Sequence, residues 1–200
     1  GLGIDKEFCL NNMREILSEA TNRNIFVRID MEDSSVTQTT LDVFNTLRTE
    51  FDQMGIVIQA YLRRSFADVE NLSTGQVNLR ICKGIYIEPE EIAFKGFQEV
   101  RDNFLKLVNT ALSNGSYVGI ATHDDFLVDQ SIKIINELKL PKDKFEFQML
   151  LGVRENLRDK ILKEGYKLRI YVPFGERWYE YSIRRFKENP NIAGHVFKNI

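Results

Sequence analysis

Short apolar stretches alternate with longer amphipathic ones along most of the chain. The short stretches are rich in β-branched and aromatic residues and end in polar ones, which predicts strands. They are Ile25–Asp30, Ile56–Tyr61, Val77–Lys83, Tyr117–His123, Phe145–Leu150 and Leu168–Val172. The longer stretches carry apolar residues at helical spacing. They predict helices over Lys6–Ala20, Thr37–Met54, Phe97–Ser113, Asp125–Lys139 and Arg154–Glu164, with a short helix over Ser65–Leu72.

Turn residues mark the boundaries of these elements. The cluster Asp33-Ser34-Ser35 precedes the second predicted helix and suits its N-cap, and Gly55 is expected to end that helix. No linker or low-complexity tract interrupts the pattern. We therefore expect residues 1–200 to form a single domain.

Regular alternation of strands and helices predicts an α/β fold with a parallel sheet and right-handed crossovers. A doubly wound sheet is the alternative, but no GxGxxG or P-loop motif follows a predicted strand. A TIM-like (β/α)8 barrel is therefore favoured. About six strands are predicted, whereas a closed barrel of this type needs eight.

Composition narrows the classes of function. The formal net charge is −2 with mixed signs along the chain, which does not indicate a nucleic-acid partner. No stretch approaches the roughly 20 apolar residues of a membrane span, and no signal peptide is apparent. The cysteines, Cys9 and Cys82, form no CxxC pair, so free thiols in a reducing cytoplasm are expected.

The most suggestive chemistry lies in the run Trp178-Tyr-Glu-Tyr-Ser-Ile-Arg-Arg-Phe-Lys-Glu188. On a helix, Tyr181 and Glu188 share a face with Arg184 and Arg185. Two adjacent guanidiniums suit a small carboxylate because each binds it in a bidentate fork. The other interpretation is a solvated helix with internal ion pairs.

Charged residues also follow the predicted strands. Asp30 is placed to orient a cation, and Arg80 with Lys83 either stabilises negative charge on a cofactor or forms an ordinary strand-end pair. Gly84 allows the backbone to approach a ligand closely.

Polar uncharged groups follow other strands. Gln59 and Gln148 lie inside apolar strands, where they either contact the edge of a heterocycle or form an internal network. His123 either contacts a ligand or caps the next helix. No metal motif and no nucleophilic triad is recognisable. These residues suit a cofactor-dependent reaction on a small carboxylate.

Seven ordered motifs resemble the proline dehydrogenase family, most of all its short monofunctional bacterial form. They are Arg28-Ile-Asp-Met-Glu32; Gln59-Ala-Tyr61; Arg80-Ile-Cys-Lys-Gly84 with Tyr86-Ile-Glu-Pro89; Ala121-Thr-His-Asp124; Phe145-Glu-Phe-Gln148; Gly165-Tyr with Arg169-Ile-Tyr-Val-Pro173; and Trp178–Arg185. The resemblance covers essentially the whole chain. It implies a distorted (β/α)8 barrel with FAD that oxidises L-proline to Δ1-pyrroline-5-carboxylate and passes electrons to a membrane quinone.

The resemblance also implies roles for individual residues. Arg184 and Arg185 would bind the proline carboxylate from a last helix over the barrel mouth, with Asp30 supporting this clamp. The implied proline pocket is lined by Tyr86, Tyr171, Tyr181, Leu150 and Ile81. The implied FAD contacts are Gln59, Arg80, Lys83, Gly84, Thr122, His123, Gln148 and Glu188.

One departure from the family pattern bears on completeness. The family carries a substrate-contacting lysine on its second barrel strand, and that strand would end just before Gly1. We therefore expect the chain to be the C-terminal three quarters of the barrel and part of a longer protein. Cytoplasmic location, with possible peripheral contact with the inner membrane, is implied as well. Two alternatives stay open: a non-catalytic truncated barrel that binds flavin or a complementary fragment, and oxidation of another cyclic imino acid.

Overall fold

The computed structural model describes residues 2–172, 174–176 and 183. The helices are α1 (Lys6–Asn22), α2 (Ser34–Leu47), α3 (Ser65–Ser73), α4 (Phe97–Ser113), α5 (Asp125–Glu137) and α6 (Glu155–Lys163). The strands are β1 (Val27–Ile29), β2 (Met54–Gln59), β3 (Asn78–Cys82), β4 (Tyr117–Ala121), β5 (Phe145–Leu150) and β6 (Leu168–Tyr171). Each predicted strand and helix is present in this part of the chain.

The strands form one parallel sheet in the order β1-β2-β3-β4-β5-β6 within the described range. Each strand pairs with the next one along the chain, and a helix lies between them. A doubly wound sheet would reverse its strand order at a switch point, and this sheet does not. The predicted fold class, a (β/α)8 barrel of which about six strands are present, is therefore confirmed.

The second helix is shorter than predicted. Asp33 is its N-cap, as expected, and its side chain accepts a hydrogen bond from the Ser35 N–H at 2.9 Å. The helix ends at Leu47, however, and Gly55 lies inside β2 rather than ending a helix. Glycine is needed there because a Cβ at Gly55 would lie 2.5 Å from the Asn78 carbonyl oxygen and 2.9 Å from Arg28 Nη1.

The two faces of the sheet carry different residues. Side chains alternate between the faces along each strand, and the buried positions of β3 are Leu79 and Ile81. These belong to the hydrophobic core, which packs between the sheet and the helices. The opposite, inner face carries polar residues and glycines at several paired positions: Gly55 pairs with Asn78, Arg80 with Gly119, and Gly119 with Glu146.

Candidate active site

The inner face and the carboxyl ends of the strands gather most of the candidate residues that lie in the described range. Arg80, on β3, forms an ion pair with Asp30, which follows β1; Nη2 and Oδ1 are 2.5 Å apart. Asp30 Oδ1 also accepts a hydrogen bond from the Met31 N–H at 3.0 Å. Asp30 thus holds the Arg80 guanidinium on the inner face, and its predicted support of the carboxylate clamp stays a prediction.

Lys83 belongs to a second charged group at the same end of the sheet. Its Nζ lies 2.5 Å from Asp124 Oδ2, and Arg101 donates to both oxygens of the same carboxylate, at 2.9 and 2.7 Å. Burial alone would raise the pKa of Asp124. The hydrogen bonds from Arg101 and Lys83 outweigh burial and lower this pKa to about 2. Asp124 is therefore a stable anion that ties α4 to the loops after β3 and β4.

Two aromatic rings cover this charged group. The Arg101 guanidinium carbon lies 4.2 Å from the Phe97 ring centroid and 4.6 Å from that of Phe126. Lys83 Nζ lies 4.6 Å from the Phe97 centroid. These are cation–π distances. The sequence analysis missed Arg101, although its spacing four residues after Phe97 places both on one face of α4.

Asp124, and not His123, caps the helix that follows. The Asp124 side chain accepts a hydrogen bond from the Phe126 N–H at 3.1 Å, so the capping alternative for His123 is wrong. His123 Nε2 instead accepts a hydrogen bond from the Leu150 N–H at 2.9 Å, which joins the ends of β4 and β5. Thr122 is buried, and its Oγ1 accepts from the Asp124 N–H at 3.2 Å.

Gly84 has φ of +109°, a conformation that disfavours a side chain. A Cβ there would lie 2.1 Å from Cδ1 of Tyr61. The close approach that this glycine permits is therefore to a buried aromatic ring. It sets the path of the loop that carries Lys83 and Tyr86.

The loop after β3, which carries Tyr86, is also bonded to the loop after β1. The Tyr86 hydroxyl donates a hydrogen bond to Glu32 Oε2. Glu88 is buried and accepts from the Ser34 N–H at 2.7 Å and from the Ser34 hydroxyl at 2.6 Å, at the start of α2. A carboxylate is favourable at a helix N-terminus. The loops after β1 and β3 therefore hold Tyr86 between them.

The two glutamines have different partners. Gln59 Nε2 donates to the Glu32 backbone oxygen at 2.7 Å. Gln148 Nε2 donates to Glu146 Oε1 at 2.8 Å, on the same strand. Both amides are buried, and both use their nitrogen within the protein, as the internal-network interpretation expected. This does not test the alternative that they also contact a heterocycle.

Charge is concentrated on the inner face of the sheet. Glu146 accepts hydrogen bonds from Arg169 at 2.6 and 3.1 Å, and Lys167 Nζ lies 3.4 Å from it. Arg28 donates to the Asn78 side chain at 2.5 Å and to backbone oxygens. Burial, and then the nearby Arg80 charge, lowers the pKa of Arg28 to about 10.

The predicted substrate contacts fall into three groups. Leu150 and Tyr171 pair across β5 and β6 and are both exposed at the carboxyl end of the sheet, and Tyr86 is half-buried. Ile81 is fully buried in the core on the helix side of β3. Its substrate contact stays a prediction that this position does not favour. Tyr181, Arg184, Arg185 and Glu188 lie outside the described residues, so their roles stay predictions.

Exposed apolar side chains surround this end of the sheet. They are Ile87, Leu150, Leu151, Tyr171, Val172 and Phe174. With the cations, amides and glycines of the inner face, they suit a flat, largely apolar ring system that also carries hydrogen-bonding edges and negative charge. FAD has these properties, so the donor set fits it. Among the residues that the structure describes, no three histidine, cysteine or acidic side chains are grouped to hold a metal ion, and no helix is long and apolar enough to cross a membrane.

Two curated proteins are similar in sequence to nearly the whole chain. Proline dehydrogenase 2 of Bacillus subtilis (strain 168) is 41% identical over 200 residues, which are all of this chain and 66% of that protein. The proline dehydrogenase of Deinococcus radiodurans is 38% identical over 193 residues, covering 96% of this chain and 62% of the relative. The chain thus spans slightly less than two thirds of these relatives.

Solved structures and a family model complete the comparison. The structure of proline utilization A from Bdellovibrio bacteriovorus, inactivated by N-propargylglycine, superposes with a TM-score of 0.85 at 31% identity over 94% of this chain and 22% of that one. The family model described as proline dehydrogenase matches residues 3–198. The chain therefore belongs to the proline dehydrogenase family.

Proposed function

We propose that the protein carrying this chain oxidises L-proline to Δ1-pyrroline-5-carboxylate, with FAD as its cofactor. The family match over residues 3–198 supports the reaction. The observation that carries the cofactor assignment is the inner face, where Gln59, Arg80 and Gln148 lie on three strands of one sheet near their carboxyl ends. Ligands bind at this end in parallel α/β sheets.

The residues would divide the work as follows. Gln59, Arg80, Lys83, Gly84, Thr122, His123, Gln148 and Glu188 would hold FAD, which accepts the hydride when bound. In the substrate, the ring carbon next to nitrogen gives up the hydride, the nitrogen loses a proton, and a C=N bond forms.

Arg184 and Arg185 would bind the proline carboxylate. Tyr86, Tyr171, Tyr181 and Leu150 would surround the ring and exclude water. Asp30 would act through Arg80, its observed partner, by fixing the guanidinium on the inner face.

Several wider features belong to the same proposal. Electrons would pass to a quinone, which implies peripheral contact of a cytoplasmic protein with the inner membrane. Residues 1–200 would be one catalytic domain that is completed by an N-terminal segment of the same protein. The matched relatives are about one half longer than this chain, which supports that segment.

The direct test is the visible spectrum of the full-length protein with bound FAD, before and after anaerobic addition of L-proline. We expect the oxidised flavin band to bleach, and the product to carry one C=N bond. Hydroxyproline is the matched substrate control, because the implied position of Tyr181 disfavours the extra hydroxyl. A bound flavin that L-proline leaves oxidised would contradict the proposed reaction.

A non-catalytic barrel is the second candidate. Its basis is that β1 and β6 are the edges of the sheet within the described residues, so the barrel is not closed there. If the 200-residue chain retains FAD but L-proline does not reduce it, the isolated chain is a non-catalytic barrel. Reduction by the longer protein would then assign the missing function to the N-terminal segment.

Arg185→Lys tests the carboxylate clamp separately. One ammonium cannot reproduce a bidentate fork, so the KM for L-proline should rise about tenfold or more while FAD stays bound. KM and FAD occupancy should both be measured, with Lys187→Arg as a control on the same segment. An unchanged KM would remove Arg185 from the clamp.

A further inference from the structure

The Glu146 carboxylate has no part in the proposed reaction, yet it is among the most buried charged groups in the described chain. It is 1% exposed and lies inside the apolar strand β5 between Phe145 and Phe147. A buried carboxylate is costly unless it is paired and hydrogen-bonded. Its partners are therefore the key to its role.

Four side chains keep Glu146 ionised. Arg169 provides two hydrogen bonds from β6, Lys167 provides a second positive charge, and Gln148 donates from Nε2 at 2.8 Å. The Tyr117 hydroxyl on β4 donates as well. Burial raises the pKa of Glu146, but the hydrogen bonds from Arg169 and Gln148 outweigh it, and the pKa lies below its ordinary value. An ionised carboxylate accepts hydrogen bonds and donates none.

This fixes which end of the Gln148 amide faces Glu146. Only the nitrogen of the amide can donate, so Nε2 must point at the carboxylate and Oε1 must point elsewhere. A neutral partner at position 146 would accept either orientation. The negative charge thus removes the ambiguity that a buried amide otherwise has.

Gly119 on the neighbouring strand supports the same orientation. It pairs with Glu146, two residues before the pairing of Ala121 with Gln148. A Cβ at Gly119 would lie 2.5 Å from Gln148 Nε2, 3.0 Å from Cδ and 3.6 Å from Oε1. The amide nitrogen therefore folds back over Gly119, and Oε1 is the amide atom furthest from it.

We propose that Glu146 is a positioning residue that holds the Gln148 amide so that Oε1 is presented as an acceptor to an N–H group of the bound ring system. This rests on the proposed function, in which Gln148 contacts FAD. Gly119 provides the space for the arrangement, and Arg169 with Lys167 keeps the carboxylate ionised. This arrangement makes the site selective for its ligand, because a ring edge that donates a hydrogen bond is favoured over one that only accepts hydrogen bonds.

The test compares FAD dissociation constants in the full-length protein, measured by flavin fluorescence quenching on the apoprotein. Glu146→Gln removes the charge that orients the amide, and FAD should bind about tenfold more weakly, the equivalent of one lost hydrogen bond to a ligand. Gly119→Ala displaces the same amide without changing any charge and should weaken binding in the same direction. It also keeps the test valid if Glu146→Gln folds poorly.

Tyr117→Phe is the matched control. It removes a hydroxyl that donates a hydrogen bond to Glu146 and accepts one from Lys167 at 3.2 Å, and it leaves the bond between Glu146 and Gln148 in place. Its FAD affinity should stay within about twofold of the parent. A merely structural role for Glu146 predicts lower stability for Glu146→Gln and Tyr117→Phe alike, with unchanged FAD affinity.

The outcomes separate this inference from the proposed function. A parent protein that binds no FAD overturns both. Suppose that the parent binds FAD and is reduced by L-proline, while Glu146→Gln and Gly119→Ala bind FAD with the parent's affinity. That result overturns the positioning role alone. Weakened affinity in both variants, with Tyr117→Phe unchanged, supports it.

Discussion

Two carboxylates with little-exposed side chains, 1% for Glu146 and 9% for Asp124, have nearly the same partners but different surroundings. Glu146, inside the sheet, and Asp124, at its carboxyl end, each accept two hydrogen bonds from an arginine and lie near a lysine. The side chains of Arg169 and Lys167, around Glu146, are 61% and 55% exposed. Those of Arg101 and Lys83, around Asp124, are 21% and 30% exposed.

The difference in exposure indicates different roles. The cations around Asp124 are confined beneath Phe97 and Phe126, so they depend on this carboxylate for compensation. Those around Glu146 reach water on their own, and its distinctive partner is the buried amide of Gln148. Asp124 therefore contributes mainly to stability, whereas the role we propose for Glu146 is to orient the Gln148 amide.

The largest effect on stability is expected for Asp124→Asn. Asparagine can still cap α5, but Lys83 and Arg101 lose their shared anion, and the free energy of unfolding should fall by about 2 kcal/mol at neutral pH. Urea unfolding of both proteins measures this. Asp125→Asn is the control, because Asp125 follows Asp124 directly and its own carboxylate is about half exposed.

The pH dependence of this effect follows from the pKa of Asp124. Because this pKa is about 2 in the folded chain, below its ordinary value of 3.8, the carboxylate stabilises the fold above pH 4. That contribution is lost as the pH falls from about 4 towards 2. The gap between the parent and Asp124→Asn should therefore narrow in acid, and a gap that is constant with pH would argue against charge compensation.

Arg101→Lys should lower the free energy of unfolding by less than Asp124→Asn does. Lysine keeps one positive charge near Asp124 but loses the two-pronged hydrogen bond and most of the stacking between Phe97 and Phe126. Thermal unfolding of the variant, beside Arg158→Lys on α6, measures the difference; the Arg158 side chain also has carboxylate partners but lies under no aromatic ring among the described contacts. If Arg101→Lys loses no more stability than Arg158→Lys, the contacts of Arg101 with Phe97 and Phe126 do not contribute to stability.

The sequence predicted the architecture better than it predicted these partnerships. All six strands are found because β-branched and aromatic runs bounded by turns are a local signal. The second predicted helix extended seven residues too far, since Gly55 was interpreted as a helix stop. Its actual role, to leave room for Arg28 and the Asn78 carbonyl between strands, is a long-range constraint that no local pattern carries.

The difference between local and long-range signals also explains which site residues the sequence singled out and which it did not. Asp30, Arg80, Lys83 and Gln148 stand at strand ends or inside apolar runs, where a polar residue is conspicuous. Arg101 lies on an amphipathic helix whose polar face hides it, and its pairing with Asp124 spans 23 residues. Glu146 lies two residues before Gln148 in the motif, but only the fold shows that the two side chains meet over Gly119.

The most direct test of the division between the two carboxylates is the FAD dissociation constant of Arg101→Lys set beside that of Glu146→Gln, in the full-length protein at a temperature where both are folded. The account predicts that Arg101→Lys binds FAD within about twofold of the parent despite its lower stability, while Glu146→Gln binds it about tenfold more weakly. Equal losses of affinity in the two variants, in proportion to their losses of stability, would contradict it.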